Sequence, residues 1–501
     1  MIAFLYILLG VSAILLWIYH RNSRDLPPGP FPFPFFGNLP HFGVAVFQGK
    51  TLVELMQEWK ARYGPSMTVW LGPIPAVFVT DYDLAMDVFV KQGDAFMNRL
   101  KPPVFEITRG GLGIVMSEGD LWLEQRRFAL HTLRNFGLGR NLMQVKVLAE
   151  FHKQMKPIER DIEASGGGRV EVNPKRMLTL LIGSIINSLL VGISYDEDNC
   201  TDFLKLKMKM DALGNSINLT DFFIGRIPFI GKQFDTTVSV QMEVFDHLKG
   251  IFHKRKEQIK SGEYNIDDGP QDYIDAYIIE MEQRSPEDMG YFSENQLFAS
   301  LLDMWAAGQE TMITTLSWAL IYLINHNEVQ EKMREELLKV VGEERDVEES
   351  DRKDLPYTIA VINEVQRIAS IINFNFFRKS TRKTTCGEYT LPTGTVAAVI
   401  MSVIFQDKTN FADPLEFKPE RFLDEEDGKL QQQMMIPFGL GKRACMGEGL
   451  ARAELYLILA NLIKTYKITS TAKDGKAPEE PIKKLSIFRR TRPFECHFER
   501  V

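Results

Sequence analysis

The sequence is short of cysteine, of positive charge and of repetition. Its 501 residues hold four cysteines, Cys200, Cys386, Cys445 and Cys496. That is too sparse for a disulfide framework, and without a C-x-x-C pair a structural zinc site has no support. The formal net charge of −7 gives nothing toward nucleic-acid binding. There is no internal repeat and no second compositional regime after residue 30, which sets aside solenoids and fibres. What is there is ordinary for a globular protein: 45% hydrophobic and 25% charged residues exclude global disorder. The length alone allows about three domains, but the uniform composition favours one large helix-rich domain.

The first residues are different. Ile2 to Tyr19 is apolar apart from Gly10 and Ser12, and as a helix it spans roughly 27 Å, enough for a thin bilayer. No basic segment precedes it and no small-x-small cleavage site follows, so a cleaved signal peptide fits less well than a retained anchor. Arg21 and Arg24 follow directly, which keeps the rest of the chain cytosolic. The expected division is an anchor over 1–20, a basic, proline-rich hinge over 21–40 and a domain over 41–501. Within the hinge, Leu26 to Asn38 (LPPGPFPFPFFGN) reads as a stiff spacer.

Further on, Met67–Leu71 and Ala76–Val79 read as strands of a small sheet. Ser293 opens S-E-N-Q, a capping box closed by Gln296. A helix follows to near Asn325, apolar nearly all round, as befits the centre of a large domain. Gly262 to Gly269 reads as a surface loop.

The segment most suggestive of chemistry begins at Pro437: PFGLGKRACMGEGLARAELYLILANLIK. Gly439, Gly441 and Gly447 bracket Cys445, and glycine lets a backbone turn tightly and approach a flat ligand. A helical pattern starts just after the cysteine, and Lys442 and Arg443 stand beside it. Both features favour a thiolate, a good soft metal ligand. On these features alone, a buried free cysteine in a turn fits equally well.

Phe438, Gly441, Arg443, Cys445 and Gly447 form F-x-x-G-x-R-x-C-x-G, which resembles the haem-binding signature of cytochrome P450 enzymes. The resemblance implies a mainly α fold with a small β portion, and heme b held by Cys445 as axial ligand. It implies that Arg443 pairs with a haem propionate, with Trp122 and Arg126 as W-x-x-x-R at a propionate and Arg378 at a further one. The long helix carries Ala307-Gly308-Gln309-Glu310-Thr311, similar to the family's A-G-x-E-T oxygen-activation motif. Read physically, the Ala-Gly pair leaves room for a cofactor, and the hydroxyl and carboxylate can relay protons. A helix kink, with Thr311 bonded back to its own backbone, is the other reading. Met312 replaces a second threonine common in the family.

E-x-x-R also occurs at Glu106–Arg109, Glu124–Arg127, Glu331–Arg334 and Glu349–Arg352. Position selects Glu364–Arg367, which in the family buttresses the core with the arginine of P-E-R-F, here Arg421. By the same resemblance the substrate pocket is drawn from Leu100–Leu112, Phe222, Phe223, Met304, Trp305, Ile371–Phe374 and Ile487. It is mostly apolar, so the substrate is expected to be lipophilic. Asp303 would brace a neighbouring loop rather than meet a cationic substrate. In Asp221–Ile230, Gly225 and Pro228 break an apolar run. Two readings fit equally: Phe229 and Ile230 dip into lipid with Phe222 and Phe223 turned inward, or all four pack against the domain core.

The implied reaction is monooxygenation, with electrons from NADPH through NADPH-cytochrome P450 reductase and cytochrome b5 as an optional partner, at the endoplasmic reticulum bilayer. A haem-thiolate isomerase or dehydratase and a non-catalytic haem sensor are the competing classes. The Glu310-Thr311 pair speaks against the first.

Overall fold

The computed structural model describes residues 10–11, 24–137, 141–166, 168–216, 231–483 and 485–501. The anchor segment, apart from 10–11, and the run Asp221–Ile230 lie outside the described residues.

The long helix runs Glu294–Asn325 through the main hydrophobic core. Leu297, Leu302, Ile321 and Trp318 are buried on different sides of it, as its all-round apolar pattern requires. Ser293 caps it, its side chain accepting from the Gln296 N–H. The other half of the expected capping box is absent. The Gln296 side chain instead accepts from Gly113 N and donates to Gly113 O, at 3.0 and 3.1 Å. A buried loop backbone must find partners, and this amide supplies both.

Helix Pro174–Val191 packs along the long helix. It is the one described helix long and apolar enough to cross a membrane by composition, and it is mostly buried as core. Gly308 explains the closeness of the two helices: a Cβ there would press on Ile186 at 2.9 Å.

A five-stranded sheet flanks the helices, in the order Ser66–Leu71, Ile74–Val79, Val396–Val399, Arg378–Lys379, Asn98–Arg99. The first two strands form the expected antiparallel hairpin. The proline-rich stretch is tied to it: Thr68 Oγ1 donates to Pro27 O, and Asn38 bridges Pro30 O and Trp70 N.

Glu364 and Arg367 lie on helix Pro356–Ala369 and are fully buried. Arg367 Nε donates to Glu364 Oε2 at 2.7 Å, and Arg421 Nε donates to Oε1 at 3.1 Å. Arg367 Nη2 also donates to Glu364 Oε1 at 2.8 Å, and the remaining guanidinium hydrogens go to carbonyls of Phe405, Pro414, Ala412, Asp413 and Glu416. Both arginines are thus satisfied, as a buried ionic cluster must be. This triad fixes the connection leading to the cysteine loop.

Candidate active site

A cavity of about 520 Å³ lies between the long helix and the loop before helix Glu448–Thr465. Cys445 opens onto it from the loop, and Ala307 and Thr311 from the long helix. The loop needs its glycines. Gly439 and Gly441 have positive φ, and a Cβ at Gly441 would strike the Phe89 carbonyl. Cys445 N donates to Phe438 O at 2.8 Å, closing the turn that presents the sulfur.

The helix start lies behind the sulfur as the sequence suggests, but the two neighbouring cations do not face it. Lys442 pairs with Asp94. Arg443 turns away to donate to Met97 O and Ser117 O, its guanidinium 3.8 Å from the Trp122 ring centre. Burial therefore pushes the Cys445 thiol above its ordinary value, against the Gly447 and Glu448 N–H groups and the charge of Arg126. A metal ion held by Cys445 would supply what the protein does not, since coordination favours the deprotonated thiol.

Around the cavity rim stand Arg126, Arg378 and Arg443, all expected, and a fourth, Arg99. Arg99 has no motif around it. Its signal is tertiary, because it lies opposite Arg378 in the sheet register. Arg378 gives one hydrogen bond to Leu440 O, while its Nε and Nη1, and Nη1 of Arg443, are buried without protein partners. Burial, then mutual repulsion, pushes Arg99 down to about 10, Arg378 to about 9 and Arg443 to about 8. A guanidinium does not release its proton in a protein, so the cradle calls for an anion. Arg126 donates to Ala444 O at 2.8 Å and lies over Trp122, linking cradle to cysteine loop. Two propionates fit this donor set, and the cavity fits a flat apolar ring. The Phe438 ring faces the cavity, with Arg452 against it.

On the opposite wall, Met304, Ala307 and Thr311 share one face of the long helix. Thr311 Oγ1 donates to Ala307 O at 2.8 Å, leaving its lone pairs for a second partner. Gly308 lines the same cavity, and its missing side chain also makes room for Ile186. Glu310 Oε2 accepts from Lys207 Nζ at 2.9 Å, and Oε1 pairs with Arg490 Nε at 2.8 Å. Those cations outweigh burial and hold its carboxyl at about 2.

The remaining wall is apolar, with Val104, Phe105, Ile114, Ile371, Ile487 and Phe488 among its residues. Phe374, expected there, packs on Phe78 and Phe377 instead. Trp305 is buried and donates to Asn187 Oδ1 at 3.2 Å. Asp303 braces the neighbouring loop as anticipated. It accepts from Ile114 N and Val115 N, both at 2.9 Å, and pairs with Arg109. Phe222 and Phe223 lie outside the described residues.

A cysteine framed by glycines and a cradle of four arginines line one largely apolar cavity, a donor set that fits a bound haem. The comparisons agree. The cytochrome P450 family model matches residues 27–498. A probable cytochrome P450, cyp-35D1 of Caenorhabditis elegans, is 33% identical over 489 residues, 95% of each chain. Cytochrome P450 2J5 of Mus musculus is 34% identical over 451 residues, 89% of this chain and 86% of the relative. Cytochrome P450 2H2 of Gallus gallus is 32% identical over 500 residues, 98% and 97% of the two chains. The chain belongs to the cytochrome P450 family and is a haem-dependent monooxygenase.

Proposed function

We propose that this enzyme inserts one oxygen atom from O₂ into a lipophilic small molecule of xenobiotic, fatty-acid or steroid-like type. Electrons come from NADPH through a membrane-bound reductase, with cytochrome b5 as an optional second donor. The observation that carries this reading is the placing of Cys445 and Thr311 on one largely apolar cavity.

When bound, haem supplies O₂ binding and O–O cleavage, favoured by electron density from the thiolate. The chain's residues do the rest. Cys445 holds the iron, and Arg126, Arg378, Arg443 and Arg99 hold the propionates, with Trp122 and Phe438 as apolar supports. The apolar wall excludes bulk water and strengthens each polar contact inside. Thr311 presents a hydroxyl that holds and passes a proton. Glu310, the acid of the same motif, acts as an ion-paired strut that fixes the helix beside it.

The enzyme works at the endoplasmic reticulum membrane in this reading, anchored by residues 1–20 with its domain, 41–501, in the cytosol. The exposed rings of Phe31, Phe33, Phe35, Phe36 and Phe47 support this. They follow the anchor closely and form an apolar face suited to lipid. The test is reconstitution with reductase and a panel of lipid and drug-like compounds. NADPH-dependent O₂ consumption with an oxygenated product is expected. Turnover of a substrate without O₂ would point to the isomerase or dehydratase class instead. Deleting residues 2–20 is expected to weaken membrane attachment while haem binding stays.

A further inference from the structure

Helix Thr201–Ser216, the long helix and a segment near the C-terminus bring four charged side chains together on one part of the cavity wall: Lys207, Asp211, Glu310 and Arg490. Lys207 stands in the middle. Its Nζ donates to Glu310 Oε2 at 2.9 Å and pairs with Asp211. Each of those carboxylates has a second cation of its own. Arg490 Nε lies 2.8 Å from Glu310 Oε1, and the half-exposed Lys175 reaches Asp211 Oδ2 at 2.9 Å. Among the described residues, three cations thus share two carboxylates, and Lys207 is the one held between them.

A surplus charge is tolerated at the surface and disfavoured inside. The side chain of Lys207 is only 4% exposed. Burial works against its charge, but Glu310 and Asp211 outweigh burial and hold the ammonium protonated, above its ordinary value. An ammonium carries three N–H donors. Asp211 and Glu310 take two, and among the described residues no acceptor meets the third. The other charges on the wall are matched elsewhere. Arg109 pairs with Asp303, and Arg99, Arg126, Arg378 and Arg443 form the cradle for the propionates. Glu454 brings no counter-charge, because burial pushes its carboxyl up to about 8. Beyond the cluster the wall is apolar, with Met210, Phe105, Ile487 and Phe488 on it. A ligand that meets both features carries one negative charge on a lipophilic body. A doubly charged phosphate would overshoot a single surplus cation.

We infer that Lys207 anchors the substrate by its head, and that the favoured substrates are lipophilic carboxylic acids bound as carboxylates. The ammonium gives its third N–H to the carboxylate, and the chain lies along the apolar wall. The inference rests on the reading of this cavity as a substrate site for oxygenation, and it narrows the lipophilic class to acids.

The experiment uses the full-length, haem-loaded protein with dodecanoic acid and its methyl ester, which share one chain and differ in charge at neutral pH. Binding is read from the shift of the haem Soret band, without reductase or NADPH. Wild type is expected to bind the acid at least about tenfold tighter than the ester, the worth of one charged hydrogen bond. Lys207→Met is expected to lose that preference, and Lys207→Arg to keep most of it. In Lys207→Met each carboxylate still has its own cation, Arg490 or Lys175, so the cluster stays paired. Equal affinities in wild type, no shift with either compound, or a preference kept in Lys207→Met overturns the inference. Asp211→Asn acts in the opposite direction. It removes one carboxylate from Lys207, so the preference for the acid is expected to rise. Should Lys207→Met fail to load haem, Asp211→Asn decides, and an unchanged or reduced preference there overturns the inference. Oxygenation is read separately, as product per NADPH with reductase across the compound panel, so loss of acid preference and loss of turnover are distinct results.

Discussion

Arg99 and Arg378 sit directly opposite each other on adjacent antiparallel strands. Like charges in that relation repel, and here burial removes the water that would screen them. Glu118 offsets part of the charge on Arg99 but accepts from its backbone N–H, at 2.6 Å. Arg99 is turned to Val115 O and Phe376 O, and Arg378 to Leu440 O. The pair makes sense only with an anion brought by the cofactor. Arg99→Met is therefore expected to speed haem transfer to apomyoglobin by about tenfold, the worth of one charged hydrogen bond. Arg99→Lys is expected to lose less. A transfer rate equal to wild type in Arg99→Met removes Arg99 from the cradle.

Cys445 carries the second prediction. The other three cysteines are buried in the core, away from the cavity. Cys445→Ser is expected to abolish the thiolate-type spectrum of the reduced CO complex. A retained spectrum would show that another side chain holds the iron.

The third concerns stability rather than chemistry. Glu364 serves Arg367, Arg421 and the Lys418 N–H at once. Removing one member leaves buried charges without partners, at about 3–5 kcal/mol. Glu364→Gln is expected to lower the thermal midpoint of the holoprotein and its yield. A midpoint matching wild type would mean that the cluster relaxes or floods with water.

Much of this site was legible because it depends on short-range pattern. The long helix with its Ser293 cap declares itself by spacing, whereas the cysteine loop and the Glu364–Arg367 pair are picked out by the family's motifs and their order. What was not legible depends on tertiary placement. Arg443 is next but one to Cys445 in sequence, yet points to Trp122, because its guanidinium finds carbonyls of distant segments there. Arg99 stands in a two-residue strand that no periodicity reveals. Gly308 opens onto the cavity as its sequence suggests, but no pattern reveals that it also admits Ile186. The partners of Glu310, Lys207 and Arg490, come from segments over a hundred residues away in either direction.

The last prediction separates the two residues at the end of the A-G-Q-E-T motif. Thr311 carries an uncharged hydroxyl facing the cavity, so Thr311→Ala is expected to leave stability nearly unaltered. It is also expected to divert electrons from product to hydrogen peroxide. Glu310 is expected to show the opposite balance. Lys207 and Arg490 hold its carboxyl at about 2, below the ordinary glutamate value near 4.5. A carboxyl depressed in the folded state stabilises the fold above the unfolded value, and the gain is lost as pH falls through the folded one. Wild type should therefore exceed Glu310→Gln in stability at neutral pH, and the two should converge between about pH 4.5 and 2. The measurement is denaturant unfolding of both holoproteins across that range, beside product formed per NADPH at neutral pH. If the stability difference is the same at pH 3 as at pH 7, the ion pairs do not stabilise the fold. If Glu310→Gln uncouples as fully as Thr311→Ala, its carboxylate belongs to the proton path and not to a strut.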